Sequence, residues 1–196
     1  MLSSEISYSA DKLNGSSKTY YPNGKTETEY TYVDGQIDGK AKKYFDSGII
    51  SWETTYNKGK KNGEEKYFFD GGVLYSEAKY ENDSLNGTLK CYYKGGAQQW
   101  DIPYSHGKEN GVKKGYYENG TLQYETPYIM GVKNGFYKEY FPDGQLFWEI
   151  PYTNGKENGV EKEYYMNGKL KYEITYTDGV KGSIKNYDQY GNEINK

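Results

Sequence analysis

Residues 153–176 read TNGKENGVEKEYYMNGKLKYEITY, and the way this stretch alternates decides the fold. Two turn-prone clusters, TNGKENG (153–159) and the Asn167–Gly168 pair, enclose a short run ending in Tyr164 and Tyr165. Beyond the second cluster, Leu170, Tyr172, Ile174 and Tyr176 point one way. Lys169, Lys171, Glu173 and Thr175 point the other, which is the two-residue period of a β-strand. Two such runs joined by an Asn-Gly turn read as a β-hairpin.

The unit recurs along the whole chain. Counting from Gly15 as position 0, glycine returns every 24 residues at Gly39, Gly63, Gly87, Gly111, Gly135 and Gly159, and Gly182 follows after 23. Position 9 is glycine each time, from Gly24 to Gly191, and position 3 is lysine, from Lys18 to Lys185. Position 14 is acidic, from Glu29 through Asp101 to Glu173, and position 17 is tyrosine, from Tyr32 to Tyr176. A fixed period of this kind marks a repeat architecture. The expected fold is all-β: an elongated single-layer antiparallel meander of about eight hairpin repeats, with roughly sixteen strands and no helix. At about 4.8 Å per strand the ribbon would be on the order of 75 Å long. A single repeat domain is expected over 1–196, with a partial repeat at 1–14, repeats starting near 15, 39, 63, 87, 111, 135 and 159, and a partial repeat at 182–196.

Pro22 and Pro142 bear on the hairpin turn. YPNG (21–24) and FPDG (141–144) suit a type I turn with proline second and a left-handed glycine in a bulge, because proline cannot donate to the ladder. In that preferred register the lysine and acidic stripes fall on opposite faces. A two-residue turn would instead set them opposite one another as a cross-strand ion-pair ladder. Pro103, Pro127 and Pro151, each just before the position-17 tyrosine, are expected to end the ladder or force a bulge, bending the sheet across residues 100–155.

Composition narrows the function. The chain has 26 tyrosines, 18% aromatic residues and 34% hydrophobic residues, so tyrosine rings stand in for an aliphatic core. Net charge is −3 with both signs interspersed, and arginine is absent, which argues against nucleic acid as a partner. No segment approaches 18 apolar residues, so no integral membrane span is expected. The cytoplasm is the expected compartment, or export if a signal segment precedes Met1.

Catalytic, metal and cofactor chemistry find no footing. His106, the one histidine, sits in an inter-repeat turn, and Cys91 has no histidine near it and suits a half-buried strand position. An acid at every rung reads as scaffold, since a general acid–base pair is needed once. No phosphate loop or zinc spacing is found. No catalytic, cofactor-binding or metal-binding residues are therefore expected, and no enzyme activity.

The 24-residue hairpin with YPNG or FPDG at its turn and NGK..NG between units resembles the MORN repeat, in the variant form found in bacterial proteins classed as YwqK-type antitoxin components. The resemblance covers essentially the whole chain. It implies an elongated single-layered antiparallel sheet that binds protein or lipid rather than one that catalyses. Lysine and tyrosine stand where eukaryotic MORN repeats often carry small residues.

Three functions follow as expectations. The first is a protein-interaction scaffold, by resemblance an antitoxin or immunity component that occludes a toxin. The second is carbohydrate or cell-wall binding, and the third is membrane or phosphoinositide association. Trp52, Trp100 and Trp148 share position 13 in alternate repeats, as a row of anchors or as packing between rungs of tyrosine. Tyr104, Tyr128 and Tyr152 belong to the same candidate partner surface. Gln98 and Gln99 join them because the repeat holding them, with Cys91 and His106, departs most from the others.

Overall fold

The computed structural model describes residues 3–194, which fall into two compact units divided between Ala97 and Gln98. Each unit is an open antiparallel sheet in which every strand pairs with its neighbours in the chain. The first carries eight long strands, beginning with Ser4–Ser9 and Lys12–Tyr20 and ending with Leu74–Glu81 and Gly87–Tyr92. The second also carries eight, from Gln98–Ser105 and Gly111–Tyr116 to Leu170–Thr177 and Val180–Tyr187. Two-residue strands such as Gln36–Ile37 and Val132–Lys133 follow the inter-repeat turns. No helix occurs among the described residues. The fold is therefore an all-β meander of hairpin repeats.

Two kinds of turn alternate, and each follows from its residues. Inside a repeat, the Gly24 N–H donates to the Tyr21 carbonyl at 2.9 Å and the Tyr21 N–H to the Lys25 carbonyl at 2.8 Å. Gly24 has φ +82°, so the turn is the bulged type I form expected from YPNG. Between repeats, Asp34 (φ 50°) and Gly35 (φ 84°) form a two-residue primed turn closed by the pair Val33 and Gln36. Asn82 and Asp83 make the same turn without glycine. His106, with φ 50°, occupies the first residue of another and leaves its side chain exposed.

The expected strand register is corrected. Immediately after the bulged turn a second irregularity follows: Tyr20 pairs with Thr26 but Thr19 pairs with Thr28, leaving Glu27 over. The extra residue shifts the strand by one and brings Lys18 directly opposite Glu29. Lys42 and Glu53, Lys114 and Glu125, and Lys138 and Glu149 pair in the same way. Across repeat boundaries Glu29 faces Lys42 and Glu149 faces Lys162. The stripes expected on opposite faces thus merge into one row of alternating sign, from Glu5 to Lys90 in the first unit and from Asp101 to Lys185 in the second.

The prolines do not end the ladder. Pro127 pairs with Val112 between the registered pairs Thr126–Lys113 and Tyr128–Gly111, and Pro151 pairs with Phe136 in the same setting. The carbonyls of Pro103, Pro127 and Pro151 accept from the N–H groups of Asn110, Asn134 and Asn158, each just before the next position-0 glycine. There the chain is already irregular at the position-0 glycine, and Thr31 and Asp38 show the same contact in a repeat without proline at position 16. Proline is tolerated because the bulge of the neighbouring strand leaves its missing N–H without a ladder partner. The glycine is doubly required: a Cβ on Gly135, at φ +116°, would lie 2.8 Å from Pro127 Cγ.

Most of the buried side chains lie on one side, with Pro151 an exception on the other. Ala41, Trp52, Thr54, Ala78, Ile102, Thr126, Ile150 and Ile174, all buried, lie on the face opposite the charge row. From the second full repeat onward, position 15 supplies Thr, Ala or Ile between positions 13 and 17, where Tyr30 stands in the first. Among the described residues no large side chain is fully buried, as expected of single sheets built from amphipathic rings.

Candidate protein-interaction face

On the charged face, lysines of the row pair with acids of neighbouring strands. Lys18 meets Glu29 at 2.7 Å, Lys162 meets Glu149 at 3.6 Å and Lys185 meets Glu173 at 3.6 Å. The position-5 tyrosine of the next repeat adds a donor to several of these acids, though Phe68 stands there beside Glu53. Tyr44 reaches Glu29 at 2.7 Å, Tyr140 reaches Glu125 at 3.0 Å and Tyr164 reaches Glu149 at 3.1 Å. The Lys18 and Tyr44 hydrogen bonds hold Glu29 below the usual carboxylate range. Burial first, then the hydrogen bond to a carboxylate, pushes Tyr44 and Tyr140 up to about 12. Tyr164 also rises to about 12, through burial and the Glu149 charge. Partly exposed ion pairs contribute little individually, so the main work of this row is to fix register.

On the aromatic face each tryptophan stands over position 2 of the next repeat, thirteen residues on. Trp52 is 8% exposed and donates its Nε1–H to Glu65 at 2.9 Å. Glu65, 3% exposed, also pairs with Lys61, whose ammonium lies 4.9 Å from the Tyr80 ring. Trp148 donates to Glu161 at 3.1 Å, and Tyr172 adds a 3.3 Å bond to the same carboxylate. Glu161 is 5% exposed. Under Trp100 the equivalent residue is Lys113, 5.3 Å from the indole ring.

Within the second unit the rings connect. Trp100 meets Tyr124 edge-on at 5.4 Å, Tyr124 stacks on Tyr137 at 6.4 Å, and Tyr137 meets Trp148 edge-on at 6.4 Å. Gly115 makes room for this chain, because a Cβ there would lie 2.4 Å from the Tyr124 ring. Burial, then the 3.0 Å bond to Glu139, drives the Tyr137 phenol far above its ordinary range. Lys133 places its ammonium 4.8 Å from the Tyr152 ring and 5.9 Å from Tyr137.

The structure places the expected partner residues as follows. Trp52 is buried against its neighbours, whereas Trp100 and Trp148 are half-buried and joined through two tyrosines. Tyr104, Tyr128 and Tyr152 are half-buried on the same face at position 17, with Tyr152 donating to Glu157 at 3.4 Å. Gln98 and Gln99 open the strand Gln98–Ser105, half-buried at its start rather than among the rings. Sequence reading missed Glu65, Glu161, Lys113, Lys133 and Tyr137. The available signal was that Trp52, Trp100 and Trp148 are each followed thirteen residues later by a charged residue.

In the first unit an open groove of about 530 Å³ runs beside Trp52, lined by Tyr30, Lys43, Tyr56, Lys61 and Tyr67. Burial pushes the Cys91 thiol upward, away from the thiolate a nucleophile requires. Among the described residues no cluster of metal-ligating side chains is found. No helix of the described residues is long and apolar enough to cross a membrane.

No curated protein matches the chain. The family of MORN repeat variants matches residues 13–34, 61–82, 109–130 and 157–178. Each match covers one hairpin, and successive matches start 48 residues apart, two repeats of this chain. Two hairpins between them, Gly39–Tyr44 with Ile50–Asn57 and Gly135–Tyr140 with Leu146–Thr153, have the same register and charge row. The chain is thus a repeat-based binding scaffold built from hairpins, four of which match the MORN repeat variant.

Proposed function

We propose that the protein binds another protein through the aromatic face of its second unit, and that the partner is a toxin which it neutralises by occlusion. The observation that carries this reading is the continuous row Trp100, Tyr124, Tyr137 and Trp148, flanked by half-buried tyrosines at position 17. Rigid rings with an apolar body and a polar tip give large contact area at small entropy cost, the composition expected of a protein-binding hot spot. Flanking charges, Glu139 and Glu163 on either side of Trp148, set orientation and association rate. The resemblance to repeats of antitoxin components supports a toxin as partner.

The test is affinity capture from the source organism with the wild-type chain and with Trp148→Ala and Tyr152→Ala, each checked for folding by circular dichroism. A protein held by the wild type and lost with both folded variants supports the reading. Equal capture by all three overturns the assignment of the face. A glycan reading is favoured by a different observation, the open groove beside Trp52, where a sugar ring could stack on Tyr30, Tyr56 or Tyr67. Glycan-array binding abolished by Tyr56→Ala and untouched by Trp148→Ala would support that alternative.

A further inference from the structure

The charged face of the second unit carries a feature its counterpart in the first unit lacks. Positions 1 and 16 lie two residues from the charge row, on the same face. In the first unit these positions hold Ser16, Thr31, Lys40, Thr55, Glu64, Lys79 and Thr88. In the second they hold Pro103, Val112, Pro127, Phe136, Pro151 and Val160, one on each of six successive strands, before Thr175 ends the run. The result is an apolar stripe about 24 Å long at roughly 4.8 Å per strand.

Its protruding members remain open to solvent: Val112 is 41% exposed and Phe136 51%. Ile129 and Val132, a directly opposed pair at the nearby turn, are exposed as well and widen the patch. An apolar surface of this extent on a charged face marks an interface. Within the sheet the stripe has no cover, because the chain is a single layer here.

We propose that this stripe is the contact through which two copies of the chain pack face to face. The charge row beside the stripe is complementary to a second copy of itself. Across the same six strands that row reads Asp101, Lys114, Glu125, Lys138, Glu149 and Lys162. Consider a two-fold axis parallel to the strands, between Leu122–Ile129 and Gly135–Tyr140. It reverses strand order while keeping height along the strands.

Stripe therefore meets stripe, with Pro127 over Phe136 of the second copy and Val112 over its Pro151. An alternating row of even length, reversed, meets its own opposite sign at every step. Glu125 faces Lys138 of the second copy, Lys114 faces its Glu149, and Asp101 faces its Lys162. Each of these contacts occurs twice, as an isologous interface requires. Sheets packed about 10 Å apart bring these long side chains within reach of one another. The contact uses the face opposite the tryptophans, so it does not depend on the proposed partner site.

The test is sedimentation equilibrium of the full chain combined with zero-length carbodiimide cross-linking. The wild type is expected to be a dimer, and its dimer band is expected to yield Asp101–Lys162 and Lys114–Glu149 links. Within one chain Asp101 and Lys162 are five strands apart, about 24 Å, too far for a direct amide. Phe136→Lys should weaken dimerisation at least tenfold, and Thr88→Lys, at the same position of a first-unit repeat, should leave it unchanged. A monomer at all concentrations overturns the proposal, as does a dimer without these links. The cross-links are read on wild-type protein, so the outcome stands even if Phe136→Lys does not fold.

Discussion

Tyr164 donates its phenolic hydroxyl to Glu149 at 3.1 Å across the boundary between two repeats. Glu149 is at the same time opposite Lys138 in its own hairpin and Lys162 in the next. One carboxylate therefore ties three strands together, and the same arrangement recurs at Glu125 and Glu29. Repeats of this kind cannot bury a core alone, so contacts that cross each boundary make neighbouring hairpins cooperative.

Reversing that charge should be costly. Glu149→Lys would place a lysine between Lys138 and Lys162 and leave Tyr164 without its acceptor, lowering stability by about 2 kcal/mol. Tyr164→Phe should cost about 1 kcal/mol, since it removes only the hydrogen bond. Urea denaturation of both variants, with unchanged slope, checks the order.

The same phenols predict alkaline lability. Tyr44, Tyr140 and Tyr164 are raised from 10.0 to about 12, so the folded state favours their neutral form. Their contribution is complete below pH 10 and disappears as pH rises through 12. Tyrosinate absorbance and circular dichroism, followed together, should show a late-titrating group of tyrosines ionising as the sheet unfolds. A single unperturbed titration near pH 10 with the fold intact would contradict this.

The position-0 glycines should differ in tolerance. A Cβ at Gly39 would lie 3.8 Å from Thr31, so Gly39→Ala meets only the cost of positive φ, about 1–2 kcal/mol. At Gly135 a Cβ would also collide with Pro127 Cγ at 2.8 Å. Thermal melts should therefore show Gly135→Ala the more destabilised of the two. Adding Pro127→Thr should recover part of the difference.

The buried acid under Trp52 gives a further test. Lys61→Met would strand the Glu65 carboxylate without its cation, at a loss on the order of 3 kcal/mol. Lys61→Met combined with Glu65→Gln should restore most of that loss, which chemical denaturation of the four proteins in the cycle would measure.

Much of the fold was legible in the residues themselves. Invariant glycines at positions 0 and 9 marked bulge and turn, and Pro22 with Asn23 specified the turn type. The register was not legible from the same residues. The extra residue that restores it lies at position 12, which holds Glu27, Ser51, Tyr75, Gln99, Gln123, Phe147 or Lys171. A bulge residue belongs to no ladder pair, so almost any side chain serves and none signals it. The buried Glu65 and Glu161 were hidden for a related reason. Position 2 also accepts Ser17, Ala41 and Leu89, and its content is set by the ring above it in the previous repeat. The prolines misled because their environment depends on the neighbouring strand, which sequence alternation does not reveal.

The central claim is that the aromatic face of the second unit is the protein-binding surface. The most direct measurement is a hydrogen-exchange footprint of the chain with and without its captured partner. Protection is predicted in the strands Leu122–Ile129 and Leu146–Thr153, lost when Trp148→Ala abolishes capture. A bound partner that leaves both strands unprotected, or that binds Trp148→Ala as tightly as the wild type, would contradict the account.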